Sequence, residues 1–149
     1  MSNNLSAFLK MIAISEGTQN IGDNGYNVLV GGKLFHSYLD HPRIRVWIKR
    51  IKNYSSAAGR YQILARNYDF YKKALKLTDF SPASQDKIAL EMIKEHDALP
   101  LIMMGQISEA IDAVKSVWAS LPGAGYNQHE NKLEYLIEEY IKAGGNYEC

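Results

Sequence analysis

"NNLSAFLKMIAISEGT", residues 3–18, has the apolar spacing of a single amphipathic helix. Apolar side chains recur at i, i+3, i+4 and i+7, and these residues are Leu5, Phe8, Leu9 and Ile12. Asn3 or Asn4 is predicted to cap the start of this helix, and Gly17 is predicted to end it. The buried face therefore finishes on Ser15 and Glu16, which places an ionisable carboxyl group where a core helix leaves the interior.

Length and composition indicate one globular domain over residues 1–149. The chain has 46% hydrophobic and 22% charged residues, which is ordinary for a folded protein. A formal charge of +1 gives no strong field that would recruit nucleic acid or a membrane. Cys149 is the only cysteine, so no intramolecular disulfide can form, and folding in a reducing compartment is expected.

Neither a cleavable signal peptide nor a membrane span is expected. The first residues lack a basic region, and Ser6 and Lys10 interrupt the apolar positions that follow. No run of about 18 apolar residues occurs. We therefore expect a protein that is made in the cytoplasm and that reaches any target outside it by another route.

The rest of the pattern predicts a mainly helical α+β fold with a small β-hairpin. The hairpin is expected over residues 26–35, with its turn at Gly31-Gly32. Residues 42–56 form the least regular segment, which carries five basic residues and no acidic one. Helices are predicted over residues 61–75, 82 to about 96 with Ser81 as N-cap, 107–121 and 130–143, with a turn between Pro100 and Gly105.

Motif spacing argues against several chemistries. The histidines show no metal-site spacing, and they are His36, His41, His96 and His129. The chain has no GxSxG motif of a serine hydrolase. "GAGYNQ", residues 123–128, follows a predicted helix and lacks a Lys-Ser/Thr pair, so it does not match a phosphate-binding loop. We expect neither a metal ion nor a cofactor.

Glu16 suits glycoside cleavage, in which a carboxylic acid protonates the departing oxygen. That role needs a raised pKa, and burial of the carboxyl group among tyrosine and aliphatic side chains would raise it. The alternative at this position is an ordinary solvated carboxylate at a helix end.

Two loops combine glycines with a tyrosine and side-chain amides. They are residues 57–64, "AAGRYQIL", and residues 121–130, "LPGAGYNQHE". Glycines allow a ligand to approach the backbone, and amides and aromatic rings bind sugars. Simple helix-capping loops remain the alternative interpretation of both segments.

Seven segments in order resemble the endolysins of bacteriophage lambda and its relatives: SAFLKMIAISEGT, NGYNVLVGGKLF, YLDHPR, AGRYQIL, DFSPASQD, IKEHDALP and VWASLPGAGYNQHENK. The resemblance extends from about Ser6 to Gly145. It implies a lysozyme-like fold whose β-hairpin walls an active-site cleft. It also implies lytic transglycosylase activity, which cleaves the β-1,4 bond between N-acetylmuramic acid and N-acetylglucosamine and leaves a 1,6-anhydro-muramoyl end.

The resemblance assigns roles to individual residues. The catalytic glutamate of the family's SEGT motif corresponds to Glu16. Substrate contacts are implied at Tyr26, Arg60, Tyr61, Gln62, Gly123, Tyr126, Asn127 and Gln128, and a structural role is the alternative for Arg60. Asn24 and Asn27 replace a histidine and an aspartate of the family, so no role is transferred to them. Residues 42–56 and 123–130 correspond to two mobile lips of the cleft, and a basic lip would attract the carboxylates of peptidoglycan.

Two other functions are compatible with the same residues. A hydrolytic muramidase would use water and a second carboxylate, for which Asp23 and Asp40 are candidates. The spacing of hydrolytic phage lysozymes of the T4 type is absent, because the required positions hold Gly25 and Gly31. A non-catalytic wall-binding module is the third possibility, and an intact Glu16 argues against it.

The expected partner is the glycan strand of peptidoglycan. The resemblance implies a monomer that accumulates in the host cytoplasm and reaches the periplasm and cell wall after a holin opens the inner membrane. Nucleic acid binding and stable membrane insertion are not expected.

Overall fold

The computed structural model describes residues 1–126 and 129–148. Within these residues there are six helices and one two-stranded antiparallel sheet, so the predicted α+β class is confirmed. The chain forms two compact units, Met1–Gly17 with Ala89–Cys149, and Thr18–Ile88. No helix in the described part of the chain is both long enough and apolar enough to cross a membrane.

The first unit is helical. It contains α1 (Asn3–Ser15), α4 (Leu99–Met103), α5 (Ile107–Val114) and α6 (Leu133–Lys142). α1 packs against α4 and α6, and α5 packs against both of these helices. The apolar stripe of α1 is buried as predicted, because Leu5, Phe8, Leu9 and Ile12 are each at most 7% exposed.

The start of α1 differs from the prediction by one residue. Ser2 is the N-cap, and its hydroxyl accepts a hydrogen bond from the backbone N–H of Leu5 at 3.2 Å. Asn4 is inside the helix, where its amide donates to the carbonyl of Ile102 at 2.9 Å. Its side-chain oxygen also accepts from the backbone N–H of Asn146 at 2.9 Å. Asn4 is therefore used to join chain segments rather than to cap the helix.

The second unit holds the sheet, which lies in the segment that we expected to be least regular. Strands β1 (Val46–Ile48) and β2 (Asn53–Ser55) pair with Trp47 opposite Tyr54. β-branched residues at positions 46 and 48 and this aromatic pair favour extended structure. The prediction that residues 42–56 lack regular structure is wrong, because it relied on their charge and overlooked the alternating apolar positions.

The predicted hairpin at residues 26–35 forms only around its turn. Leu29 donates its N–H to the carbonyl of Lys33 at 2.7 Å, and Val28 pairs with Leu34. Leu29 pairs on its other side with Ala58 rather than extending a ladder. The segment therefore contributes single pairs of extended residues and no regular strand.

α2 (Ala65–Ala74) begins later than the predicted residue 61. Gln62 has a φ of +54°, and Ile63 pairs with Ala58 in an extended conformation. A right-handed helix requires negative φ, so it cannot include Gln62. The predicted helix is thus divided into a turn and a shorter helix.

α3 (Pro82–Glu95) confirms the prediction made from Ser81 and Pro82. The Ser81 hydroxyl accepts from the N–H of Ser84 at 3.2 Å, which is a capping bond. The turn expected between Pro100 and Gly105 is instead α4, in which Pro100 occupies the first turn and needs no hydrogen-bond partner for its nitrogen.

α5 and α6 are shorter than predicted. After Val114 the chain continues in tight turns, such as the bond from the N–H of Val117 to Val114 O at 2.9 Å. Residues before Leu133 stay outside α6 because the N–H of Asn131 bonds to Ser120 O at 2.8 Å. Both differences arise in the segment between the helices, where Asn131 pairs with Ser120.

Candidate active site

Glu16 is held at the C-terminal end of α1. Its backbone N–H donates to the carbonyl of Ile12 at 2.9 Å, which continues the helical pattern by one residue. Gly17 then adopts a φ of +79°, a conformation that glycine reaches without strain. The Glu16 side chain is partly buried. The predicted helix end is therefore confirmed, with the carboxyl group at the edge of the core.

Ser120 is the hydrogen-bond partner of Glu16. Its hydroxyl donates to Glu16 Oε2, and its backbone N–H also bonds to the carboxyl group. Burial raises the pKa of Glu16 above its ordinary value, and the two bonds from Ser120 oppose that rise. The net rise is the property that a general acid needs.

A row of side chains supports the Ser120 hydroxyl. Ser15 Oγ lies 2.7 Å from Ser120 Oγ, and Asn131 Nδ2 donates to Ser15 Oγ at 3.1 Å. The same amide donates to the carbonyl of Ser15 at 3.0 Å. An amide nitrogen only donates, so Ser15 accepts from Asn131. Because Ser120 uses its single hydroxyl hydrogen in the bond to Glu16, Ser15 donates to Ser120. The row is therefore directed from Asn131 towards Glu16.

Glu130 organises the loop that follows Leu121. Its carboxylate accepts hydrogen bonds from the N–H groups of Gly123 at 2.9 Å and Gly125 at 3.0 Å. These two bonds lower the pKa of Glu130. Tyr126 is 51% exposed, and its hydroxyl donates to the carbonyl of Ser116 at 3.3 Å. Of the loop residues predicted to contact substrate, Asn127 and Gln128 lie outside the described residues.

In the second unit, Asp86 brings two of the predicted site residues together. Tyr26 and Tyr61 both donate hydroxyl hydrogens to Asp86 Oδ1, at 2.9 and 2.6 Å. The Arg60 guanidinium carbon lies 5.3 and 5.8 Å from the centroids of these two rings. Burial, and next the charge of Asp86, raise the pKa of Tyr61.

Arg60 and Gln62 make bonds to the backbone of their own unit. Arg60 Nη1 donates to the carbonyl of Asn24 at 2.6 Å, and the Arg60 backbone N–H donates to Gln85 Oε1 at 3.0 Å. Gln62 Nε2 donates to the carbonyl of Gly59 at 3.0 Å. These contacts give Arg60 a structural function. Substrate contact by either residue stays a prediction.

Sequence reasoning missed four polar residues that hold these clusters, namely Ser120, Asn131, Asp86 and Glu130. Ser120 directly precedes the loop of residues 121–130, Glu130 is its last residue and Asn131 follows it, so position in the chain was the available signal. Asp86 lies in a helix without any local pattern. In the part of the chain that the structure covers, no three His, Cys, Asp or Glu side chains group as metal ligands.

Comparison with known proteins gives one consistent family. The family model described as Endolysin matches residues 6–147. The endolysin of Escherichia phage lambda is 52% identical, with coverage of 97% of this chain and 94% of that protein. The endolysin of Escherichia phage P2 is 44% identical, with coverage of 95% and 93%.

Two solved structures have the same fold. The lambda lysozyme in complex with a chitohexasaccharide has a TM-score of 0.96 at 51% identity, and covers 99% of this chain and 98% of its own. The lysozyme from bacteriophage lambda has a TM-score of 0.91 at 50% identity and the same coverage.

A mainly helical α+β fold whose first helix ends on a partly buried glutamate defines a lysozyme-like enzyme. The family match and the two relatives identify a protein family in addition to the fold class. The chain belongs to the endolysin family, and its function is cell-wall lysis. The resemblance noted from the sequence is confirmed at this level.

Proposed function

We propose that this endolysin is a peptidoglycan lytic transglycosylase in which Glu16 is the only acid–base group. The observation that carries the proposal is the environment of Glu16. Burial raises its pKa, and among the described residues its carboxyl group is hydrogen-bonded to Ser120 and paired with no second carboxylate. A lone carboxyl group that is neutral above its ordinary titration range suits a reaction in which one group first gives and then takes a proton.

The reaction has two proton transfers. The Glu16 carboxylic acid gives its proton to the glycosidic oxygen as the bond from C1 of the muramoyl sugar breaks. The resulting carboxylate takes the proton of the C6 hydroxyl of the same sugar, and that oxygen bonds to C1. The products are a 1,6-anhydro-muramoyl end and a free hydroxyl on the N-acetylglucosamine. General acid–base catalysis of this kind contributes about 10²–10⁴-fold.

Ser120 orients the acid in this scheme. Its hydroxyl is held by Ser15 and donates to Glu16 Oε2. An oxygen that accepts this bond is the poorer site for the proton, so the acidic proton is placed on Oε1. Ser120 is thus a positioning residue that fixes which oxygen of Glu16 faces the reaction.

The candidates for a second carboxylate are already engaged. Asp40 forms an ion pair with Arg43 at 3.0 Å, and this partner lowers the pKa of Asp40. Asp23 accepts the hydroxyl hydrogen of Tyr38 at 2.7 Å. These contacts tie both carboxylates to partners in the second unit, and the product analysis below distinguishes transglycosylation from hydrolysis.

The substrate follows from the family and from the chemistry of the predicted contacts. One relative binds a chitohexasaccharide. We propose that this chain binds the glycan strand of peptidoglycan through Tyr26, Gln62 and the loop of residues 123–128. As a monomer made in the host cytoplasm, it would reach the wall after a holin opens the inner membrane.

Product analysis tests the proposal. Wild-type protein and the variants Glu16→Gln and Glu109→Gln are incubated with purified cell walls, and the released fragments are identified by mass spectrometry. Glu109 is an exposed glutamate of α5 and serves as the matched control. We expect anhydro-muramoyl fragments from the wild type and the control, and none from Glu16→Gln. Reducing muramic acid ends would indicate hydrolysis, and lysis by Glu16→Gln would remove Glu16 from the mechanism.

A further inference from the structure

A groove of about 540 Å³ lies beside the sheet of strands β1 and β2 in the second unit. Residues 53–56 form one wall, and the beginning of α2 forms another. The lining residues are Arg43, Arg45, Ile51, Asn53, Tyr54, Ser55, Ser56, Leu64, Ala65 and Arg66. None of the residues that we assign to acid–base chemistry or to sugar contact is among them.

The groove lies in a strongly basic part of the chain. Residues 41–68 contain seven Lys or Arg residues and no Asp or Glu. Electrostatic attraction therefore favours an anionic ligand here, although the whole chain has a formal charge of only +1.

Two arginines of the groove have no carboxylate partner among the described residues. Arg43 is paired with Asp40 at 3.0 Å and with Asp69 at 2.6 Å, so its charge is satisfied. Arg45 and Arg66 have no ion-pair partner in the part of the chain described here. Two separate guanidinium groups can each bind one carboxylate with paired hydrogen bonds.

The sheet of β1 and β2 and the beginning of α2 fix the backbone positions of these two arginines. Trp47 pairs with Tyr54 across the sheet, and the Arg45 guanidinium lies 4.9 Å from the centroid of the Tyr54 ring. The Ser56 hydroxyl accepts from the N–H of Ala65 at 3.0 Å, which joins the end of β2 to the residue before Arg66. The groove is thus formed by ordered backbone.

We propose that this groove binds the peptide stem of the peptidoglycan strand, with Arg45 and Arg66 each holding a stem carboxylate. The inference rests on the proposed function, because it extends the substrate from the sugar chain to its peptide branch. Tyr54, Ile51 and Leu64 supply apolar contacts for the methyl-bearing residues of the stem.

The lining favours a peptide over a phosphate group. A phosphate is usually held by several donors that converge on one point. Here the lining combines two available charges with apolar side chains and with the amide and hydroxyls of Asn53, Ser55 and Ser56. That mixture matches a short peptide that carries carboxylates, amide groups and small side chains.

A binding experiment tests the groove without any catalytic step. A synthetic stem tetrapeptide is titrated into the full chain and followed by NMR, at low and at high salt. The test variant is Arg45→Gln/Arg66→Gln, and the matched control is Lys49→Gln/Lys52→Gln, which removes two charges of the same segment outside the groove. We expect about tenfold weaker binding for the test variant only, since each exposed charge pair contributes modestly.

Activity provides the second measurement. Turnover by the test variant should fall about tenfold on intact walls and stay unchanged on glycan strands whose stems an amidase has removed. Three outcomes would each overturn the proposal. They are loss of stem binding by the lysine control, an equal loss of turnover by the test variant on both substrates, and displacement of the tetrapeptide by inorganic phosphate at similar concentration. A wild type that binds the tetrapeptide but cleaves neither substrate would refute the proposed function and leave the groove supported.

Discussion

The hydroxyl of Ser120 donates a hydrogen bond to Glu16, although 104 positions separate the two residues in sequence. The loop between α5 and α6 thereby reaches the end of α1. Burial raises the pKa of Glu16, and this bond holds the rise in check. The pair therefore sets both the acidity and the orientation of the carboxyl group.

Replacing Ser120 should change the pH dependence of lysis. Ser120→Ala removes a bond that lowers the pKa of Glu16, so the alkaline limit of activity should move to higher pH. Turnover should fall about tenfold, as expected for loss of one hydrogen bond that orients the carboxyl group. The measurement is a pH–rate profile on purified walls. Ser120→Thr keeps the hydroxyl and should restore the profile, and an unchanged limit in Ser120→Ala would contradict the assigned role.

Neutralising Glu16 should stabilise the protein while it abolishes activity. A group with a raised folded-state pKa gives its full stabilisation below the unfolded pKa and loses it as pH rises through the folded value. Glu16→Gln should therefore raise the melting temperature at pH 7 and have little effect near pH 4. Glu109→Gln provides the comparison, and a lower melting temperature for Glu16→Gln at pH 7 would argue against the burial cost.

Gly59 should not tolerate a side chain. Its φ is +84°, and an added Cβ would collide with Gln85 Oε1 and lie 3.1 Å from Phe80 Cζ. Gln85 cannot yield, because it is fully buried and bonds to the backbone of Tyr26 and Arg60.

Gly59→Ala should thus lower the free energy of unfolding by about 3 kcal/mol through backbone strain and overpacking together. Gly32→Ala is the control, with a φ of +102° and open space, and should cost about 1 kcal/mol. Urea denaturation measures both variants, and equal losses would show that packing at Gly59 is unimportant.

His41 should make the second unit sensitive to acid. Its Nε2 bonds to the carbonyl of Ile63 at 2.8 Å, and its Nδ1 accepts from the N–H of Arg43 at 3.0 Å. Protonation of Nδ1 would break the second bond, and burial, with a smaller effect of Arg43, lowers the pKa of His41 below its usual 6.5.

The stability that neutral His41 provides is present above the unfolded pKa and is lost as pH falls through the folded one. We expect the free energy of unfolding to drop between about pH 7 and pH 5. His41→Phe keeps a ring between Tyr68 and Phe80 and should show a smaller drop over that interval. Urea denaturation at several pH values is the measurement, and parallel curves for the two proteins would rule out His41 as the source.

Features set by neighbouring residues were predictable from the sequence. The face of α1, its end at Gly17 and the Ser81 cap of α3 follow from spacing and capping chemistry within a few positions. The pattern of helices and a small β element supplied the α+β class, and the resemblance supplied the family and the lysozyme-like fold. The candidate acid, Glu16, came from its place at the end of a buried helix face.

Features set by distant residues were not predictable in this way. α2 loses its first turn because Ile63 pairs with Ala58, and α6 starts late because Asn131 pairs with Ser120. The only local signal for Ser120 is its place before the LPGAGY segment, and its importance comes from a bond to a residue 104 positions away. Tertiary contacts decide such cases, and a single sequence does not display them.

The directed row from Asn131 through Ser15 to Ser120 has a consequence for where hydrogen can travel. The side-chain amide of Asn131, at the far end of the row, neither accepts nor releases a proton near neutral pH, so no proton can be passed beyond it. The row therefore cannot carry a proton away from Glu16, which gives and takes its proton at its own partly exposed carboxyl group. Under the mechanism proposed for Glu16, the carboxyl group is protonated again at the end of each turnover. The rate of turnover should therefore not depend on buffer concentration.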